Sequence, residues 1–316
     1  GSEMCIRDRV SRVDYMKQLI EDSPLILMEA AIVEQLRRSG SLKLHQSLVN
    51  APLIYDDKGR AALSKLYQSY IDIADEAELP FLMCTPTWRA NKSRVFRSNV
   101  SHSINTDASS FMKAIRDLQD NSNLAIKIGG MMGCKNDCYL PDEGLSIADS
   151  ERFHSWQVEQ LADSGVDFLI AETLPNIAEA TGIAKAMATT GLPYTISFVI
   201  NRNGNVLDGT GLSEAIDFID SNTSIKPLGY MVNCAYPSFL SAESQPEELF
   251  ARLIGCQANA SSLDHCELDN SDALSVEEVS EWGDAMLGLN REYGIKILGG
   301  CCGTGREHLR YIVDHI

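Results

Sequence analysis

Short apolar runs alternate along this chain with longer stretches in which apolar residues recur at helical spacing. The runs occupy residues 25–28, 81–84, 124–128, 168–171, 194–200, 227–232, 253–258 and 295–298. Such runs suit strands buried on both faces, where continuous hydrophobic segments replace strict alternation. Residues 61–77, 150–164 and 276–293 read as amphipathic helices. Ser275 stands before Val276, Glu277 and Glu278 as an N-cap with acidic residues in the first turn. Eight strand-like runs separated by helical stretches predict an α/β chain, a single (β/α)8 TIM barrel. An open doubly wound sheet is the alternative, because periodicity does not show closure.

At 316 residues the chain has room for two average domains or one large barrel. No Gly/Ser-rich or Pro-rich linker divides it, which favours one domain. Gly1 and Ser2 resemble a cloning remnant, and residues 3–9 lack an apolar period. Residues 1–15 are therefore expected to form a tag-like, disordered lead-in and residues 16–316 the barrel. No apolar run approaches the roughly 20 residues that span a membrane, and no secretory pattern opens the chain. The net charge of −17 argues against a nucleic-acid partner and suits a cationic small molecule. Nine cysteines, an odd number spread over a long chain, read as reduced thiols of a cytoplasmic protein. The pattern is compatible with a monomer or a small homo-oligomer.

In a parallel barrel, functional residues lie just past the C-terminal ends of strands. Glu29 follows the first run, Thr85 and Thr87 the second, and Glu172 the fourth. Cys234 follows the sixth, and Cys301 and Cys302 the eighth. Polar and thiol residues thus gather at one end of the expected barrel. The most informative segment is Gly299, Gly300, Cys301, Cys302, Gly303 and Thr304. Adjacent cysteines bridge each other only by distorting the peptide between them, yet both can reach one soft ion. Zinc takes thiolates at about 2.3 Å in a tetrahedron, and three thiolates leave one position open for chemistry. The flanking glycines allow a sharp turn and close approach. Cys134 and Cys138 are a weak metal signal on their own. Cys84, Cys256 and Cys266 read as structural, and Cys5 belongs to the lead-in. His154 reads as a supporting residue and His308 as a capping or packing one.

These residues resemble the zinc-dependent homocysteine S-methyltransferase family. The double-cysteine segment followed by Glu307, His308, Leu309 and Arg310 resembles its C-terminal signature, and Asn233-Cys234 its Asn-Cys motif. Further likenesses are Phe153-His154 with Gln157, the stretch Ala171, Glu172, Thr173, Leu174 and Pro175, Ser197-Phe198, Asp208-Gly209-Thr210 and Ala258-Asn259-Ala260. The resemblance covers the chain from about residue 25 onward. It implies a single barrel and Cys234, Cys301 and Cys302 as ligands of Zn2+, with the homocysteine thiol taking the open position. It also implies a small onium methyl donor, of the S-methylmethionine, S-adenosylmethionine, betaine or sulfoniopropionate type. Glu172 is the expected partner of the homocysteine ammonium, with Glu29, Ala30, Thr85, Ser197 and Asn233 around the substrate. Trp88 and Tyr236 are candidate cation–π contacts to the donor; ordinary packing at the barrel mouth is the other reading.

The chain departs from the family pattern at three places. Glu29-Ala30-Ala31 stands for Asp-Gly-Gly, Thr85-Pro86-Thr87 for Thr-Asn-Thr, and Met231 for a glycine. The added bulk at strands one and six is expected to narrow or reshape the pocket, and the donor is expected to differ from the commonest ones. The competing functions are a non-catalytic zinc- or thiol-binding barrel, a methyltransferase for another thiol or selenol, and a cysteine redox enzyme. Adjacent-cysteine geometry argues against the last.

Overall fold

The computed structural model describes residues 2–40, 42–119, 124–263 and 277–316. Every apolar run becomes a strand: β1 (Ile26–Met28), β2 (Phe81–Cys84), β3 (Ile126–Gly133), β4 (Phe168–Leu174), β5 (Tyr194–Phe198), β6 (Gly229–Asn233), β7 (Leu253–Ala258) and β8 (Ile297–Gly300). They pair in chain order, all parallel. Ile26 lies opposite Ile297 and Leu27 opposite Leu298, so the sheet closes. That pairing excludes the open sheet.

Side chains alternate across the strands, as the pleat requires. Ile26, Met28, Leu82, Cys84, Phe168, Ile170, Met231 and Ile297 fill the barrel interior. Leu27, Phe81, Met83, Leu169, Val232 and Leu298 face outward into the larger core under the helices. Those helices are α1 (Ser2–Asp22), α2 (Val33–Arg38), α3 (Asp57–Glu76), α4 (Lys92–Arg97), α5 (Ile104–Asp117), α6 (Ile147–Asp163), α7 (Ile177–Ala188), α8 (Leu212–Asn222), α9 (Val279–Tyr293) and α10 (Arg306–Asp314). Asp56 caps α3 by accepting from Gly59 N at 2.7 Å, and Ser146 caps α6. α9 begins at Val279 with Glu278 as its N-cap and ends at Gly294, whose φ is 71°. Ser275 and Cys266 lie outside the described residues.

β3 runs five residues past its apolar segment, through Gly129, Gly130, Met131, Met132 and Gly133. A Cβ at Gly129 would stand 2.7 Å from the Phe168 ring, so that strand position needs glycine to make room for the interior aromatic. β6 and β7 are joined by three 3-10 turns rather than a helix, two of them begun beside Pro237 and Pro246. Among the described residues, no helix is long and apolar enough to cross a membrane.

The expected lead-in, residues 1–15, runs on into the first residues of the barrel domain. Helix α1 covers nearly all of it, and from Arg12 onward its side chains hold the N-terminal end of the barrel. Met16 is 2% exposed and packs with the interior cluster. Arg12 Nη1 donates to Val166 O at 2.7 Å, and Lys296 Nζ donates to Ile20 O and Glu21 O at 2.7 Å each. These attachments all sit just before strands, opposite the thiol-bearing end.

Candidate functional site

β6 delivers Asn233 and Cys234 to the C-terminal end of the barrel. Cys234 has φ 53° and Thr173, in β4, has φ 59°. Left-handed backbone at a non-glycine residue carries strain of about 1–3 kcal/mol and persists only where neighbours enforce it. Asn233, 2% exposed, is the enforcing residue. Its Oδ1 accepts from Thr173 N at 2.9 Å and Ser197 Oγ at 2.7 Å. Its Nδ2 donates to Thr173 Oγ1 at 2.7 Å and Cys234 Sγ at 3.5 Å.

β8 delivers the other two thiols. Cys301 N donates to Ala258 O at 2.8 Å, Cys302 N to Asn259 Oδ1 at 3.1 Å, and Thr304 Oγ1 to Cys301 O at 2.6 Å. Gly303 supplies φ 82° for the turn. Gly299 supplies space: a Cβ there would lie 2.9 Å from Glu29 O.

The sulfurs of Cys234, Cys301 and Cys302 consequently lie within 4.8 Å of one another, with Cys234 Sγ 2.6 Å from Cys301 Sγ. Among the described residues this is the one group of three His, Cys, Asp or Glu side chains that could share an ion. The packing splits the thiols. Cys302 is held well below the ordinary thiol value by hydrogen bonds from Cys234 and Cys301, while Cys301 is pushed well above it by Cys234 and Cys302. Three converging soft donors that resist carrying more than one negative charge among themselves fit a thiophilic cation.

A cavity of about 370 Å³ adjoins the thiols and is lined by Glu29, Ala30, Trp88, Tyr139, Glu172 and Gln257, among others. Glu29 is 5% exposed and accepts from Cys84 N at 2.6 Å; Glu172 is 9% exposed and accepts from Cys84 Sγ at 3.9 Å. Burial pushes Glu172 up from 4.5 to about 7. Burial also holds Glu29 well above its ordinary value, with the Glu172 charge adding to it. Neither carboxylate has a basic ion-pair partner among the described residues. Two buried carboxylates without a counter-ion make a site for a cationic group.

The remaining expected residues divide. Thr85 and Ser197 stand behind the cavity wall: Thr85 Oγ1 accepts from Met131 N at 3.0 Å, and Ser197 supports Asn233. Tyr236 is not part of the lining and packs against the outer core. Trp88 does line the cavity, with Arg89 over its ring at 4.2 Å. Ala30 and Ala31 add bulk to the wall. Met231 does not: it points into the barrel, where a Cβ on the facing Gly255 would meet Met231 Cε at 2.6 Å. The glycine on β7 absorbs the methionine on β6, which corrects the expectation of a narrower pocket there. His308 caps and packs, accepting from Gly305 N at 3.2 Å beside Trp282.

Sequence reading missed Tyr139 and Gln257. Tyr139 sits on a polar loop with no periodicity, and its hydroxyl is held well above its ordinary value by Cys234 and then by burial. Gln257 is 4% exposed in a run that reads as a core strand, and its Oε1 has no partner among the described residues. A lone amide in an apolar run was the available signal.

The homocysteine S-methyltransferase family profile matches residues 26–316. Homocysteine S-methyltransferase 4 of Zea mays is 28% identical over 189 residues, 55% of this chain and 52% of that protein. Homocysteine S-methyltransferase YbgG of Bacillus subtilis is 22% identical over 319 aligned positions, 94% of this chain and 96% of that protein. The chain thus spans about half the length of the plant relatives it matches. The homocysteine methyltransferase MmuM of Escherichia coli, in its oxidized form, superposes with TM-score 0.75 at 17% identity, covering 95% of this chain and 99% of that one. Its metallated form gives 0.73. At that identity the likeness is one of fold.

Proposed function

We propose that this chain, which belongs to the homocysteine S-methyltransferase family, moves a methyl group from a small onium donor to the thiolate of homocysteine, giving methionine. The observation that carries the reading is the placing of three thiols beside two buried, uncompensated carboxylates. Zinc is the metal we assign to Cys234, Cys301 and Cys302; when bound it supplies Lewis acidity that deprotonates a coordinating thiol at neutral pH. MmuM is known in a metallated form.

The protein's own groups do the rest. Glu172 and Glu29 receive the substrate ammonium and fix the amino-acid end, so the thiol points toward the cysteines. Asn233 and Asn259 hold the two thiol-bearing loops. Trp88 and Tyr139 also line the cavity, where aromatic faces suit a methylated cation. A cavity that aligns thiolate and methyl carbon gains from orientation, which contributes several kcal/mol. The sulfur–carbon bond to homocysteine forms as the donor's onium–methyl bond breaks, and the donor leaves with the electron pair, neutral at that atom. Free thiols at this site suit a reducing compartment such as the cytoplasm.

The test is methionine formation by zinc-loaded protein given homocysteine and sulfonium or ammonium donors one at a time. Turnover is expected with a donor of this class. Zinc near one per chain with no methionine from any donor would overturn the reading in favour of another thiol or selenol acceptor, or of a non-catalytic binder.

A further inference from the structure

A second cavity, of about 290 Å³, lies where the segment after β2 meets the loop after β3. Arg94, Arg97, Lys135, Asn91, Ser47 and Phe153 are among its lining residues, and the lining contains no carboxylate. That is unusual in a chain with 44 acidic and 27 basic residues. The guanidiniums are held without being neutralised. Arg94 donates to Ser47 O at 3.1 Å and Lys135 O at 3.3 Å, and Arg97 Nε donates to Ser93 O at 3.0 Å. Nearby Arg89 donates to the carbonyls of Cys134 and Asn136. Among the described residues, none of these four cations has a carboxylate within ion-pair distance. Asp149 feels Lys135 but is paired with Arg152 and Ser146.

Two further features mark a built site. Asn91 is 2% exposed; its Oδ1 accepts from Arg94 N at 3.1 Å, and its amide nitrogen has no partner among the described residues. Arg94 is held below its ordinary value by burial and then by repulsion from Arg89, so the cations work against one another. An entering dianion would relieve that repulsion and meet unused donors on Asn91, Lys135 and Arg97. Phe153, with Lys135 Nζ 5.3 Å from its ring centre, offers one apolar wall.

We propose that this cavity binds a small phosphate monoester. Planar guanidiniums and an ammonium around one space suit a doubly charged oxyanion better than a single carboxylate. The volume lies at the low end of ligand pockets, roughly 300 Å³, which leaves room for a phosphate and a small organic group. The site stands apart from the thiol cavity and does not depend on the proposed methyl transfer.

The experiment is calorimetric titration of the zinc-loaded protein with inorganic phosphate, phenyl phosphate and citrate, at an ionic strength fixed with potassium chloride. One site per chain is expected, with phenyl phosphate tighter than inorganic phosphate and citrate weaker than both. The double variant R97Q/K135Q should bind phenyl phosphate about tenfold or more weakly, with its circular dichroism and zinc content unchanged. Should that variant fold poorly, K135Q alone should weaken binding severalfold. The proposal fails if neither phosphate saturates by about 10 mM, if citrate binds tightest, if the ester gains nothing over inorganic phosphate, or if the variants bind like the wild type.

Discussion

Glu172 couples the site to pH. Its folded-state value is raised from 4.5 to about 7, so the folded protein keeps a proton that the unfolded chain releases. Its contribution to stability is fully present below about 4.5 and is lost as pH rises through about 7, with a slope approaching roughly 1.4 kcal/mol per pH unit. Urea unfolding of chelator-treated protein should therefore show stability falling across that window, and E172Q should lack this part of the slope. Equal slopes in both proteins would mean that Glu172 is charged throughout. Asn233 makes a different prediction. N233A leaves Thr173 N and Ser197 Oγ without their acceptor and releases two left-handed residues, at a cost of about 2–4 kcal/mol. It should lose zinc as well as stability, measured by unfolding and metal content together. Full zinc retention would show that Cys234 is held by other contacts.

At the scale of the elements, all eight strands were legible because each carries a largely apolar, mostly buried run. The thiol end was legible too, because strand ends in a barrel are functional ends. What was not legible depends on contacts between elements distant in sequence. Nothing in residues 124–128 shows that β3 continues through three glycines, since the reason for Gly129 is Phe168 on β4. Met231 looked like pocket bulk because its partner is Gly255, on another strand. Tyr139 reaches the cavity from a loop whose course has no periodic signature. The same contacts separate two similar substitutions. G299A places a Cβ 2.9 Å from both Glu29 O, a backbone atom just past β1, and Met28 Cβ, at the end of β1. It should cost about 1–3 kcal/mol and lower methionine formation by displacing Glu29. G255A meets no backbone atom: it approaches Met231 Cε at 2.6 Å and Cγ at 2.9 Å, on a flexible side chain that can turn aside, and Ile297 Cβ at 3.1 Å, and should cost less. Thermal unfolding of the two variants tests this, and a G255A loss equal to or larger than that of G299A would refute it.

Over the whole molecule, the barrel is closed differently at its two ends. One end holds the three thiols and two buried carboxylates that have no basic ion-pair partner among the described residues. The other is covered by α1, whose Met16 packs with the interior cluster that includes Ile26, Phe168, Ile170 and Ile297. A barrel interior is a packed core, so leaving its lower layer open exposes apolar surface. M16A should then cost about 2–4 kcal/mol in urea unfolding, comparable to a strand residue of the same layer. Because Met16 lies opposite Cys234, Cys301 and Cys302, zinc stoichiometry and homocysteine affinity should not change. If α1 were only a lead-in to the domain, the cost would stay below about 0.5 kcal/mol, as for ordinary surface positions. A large cost with an intact metal site would make the helix an integral part of the barrel.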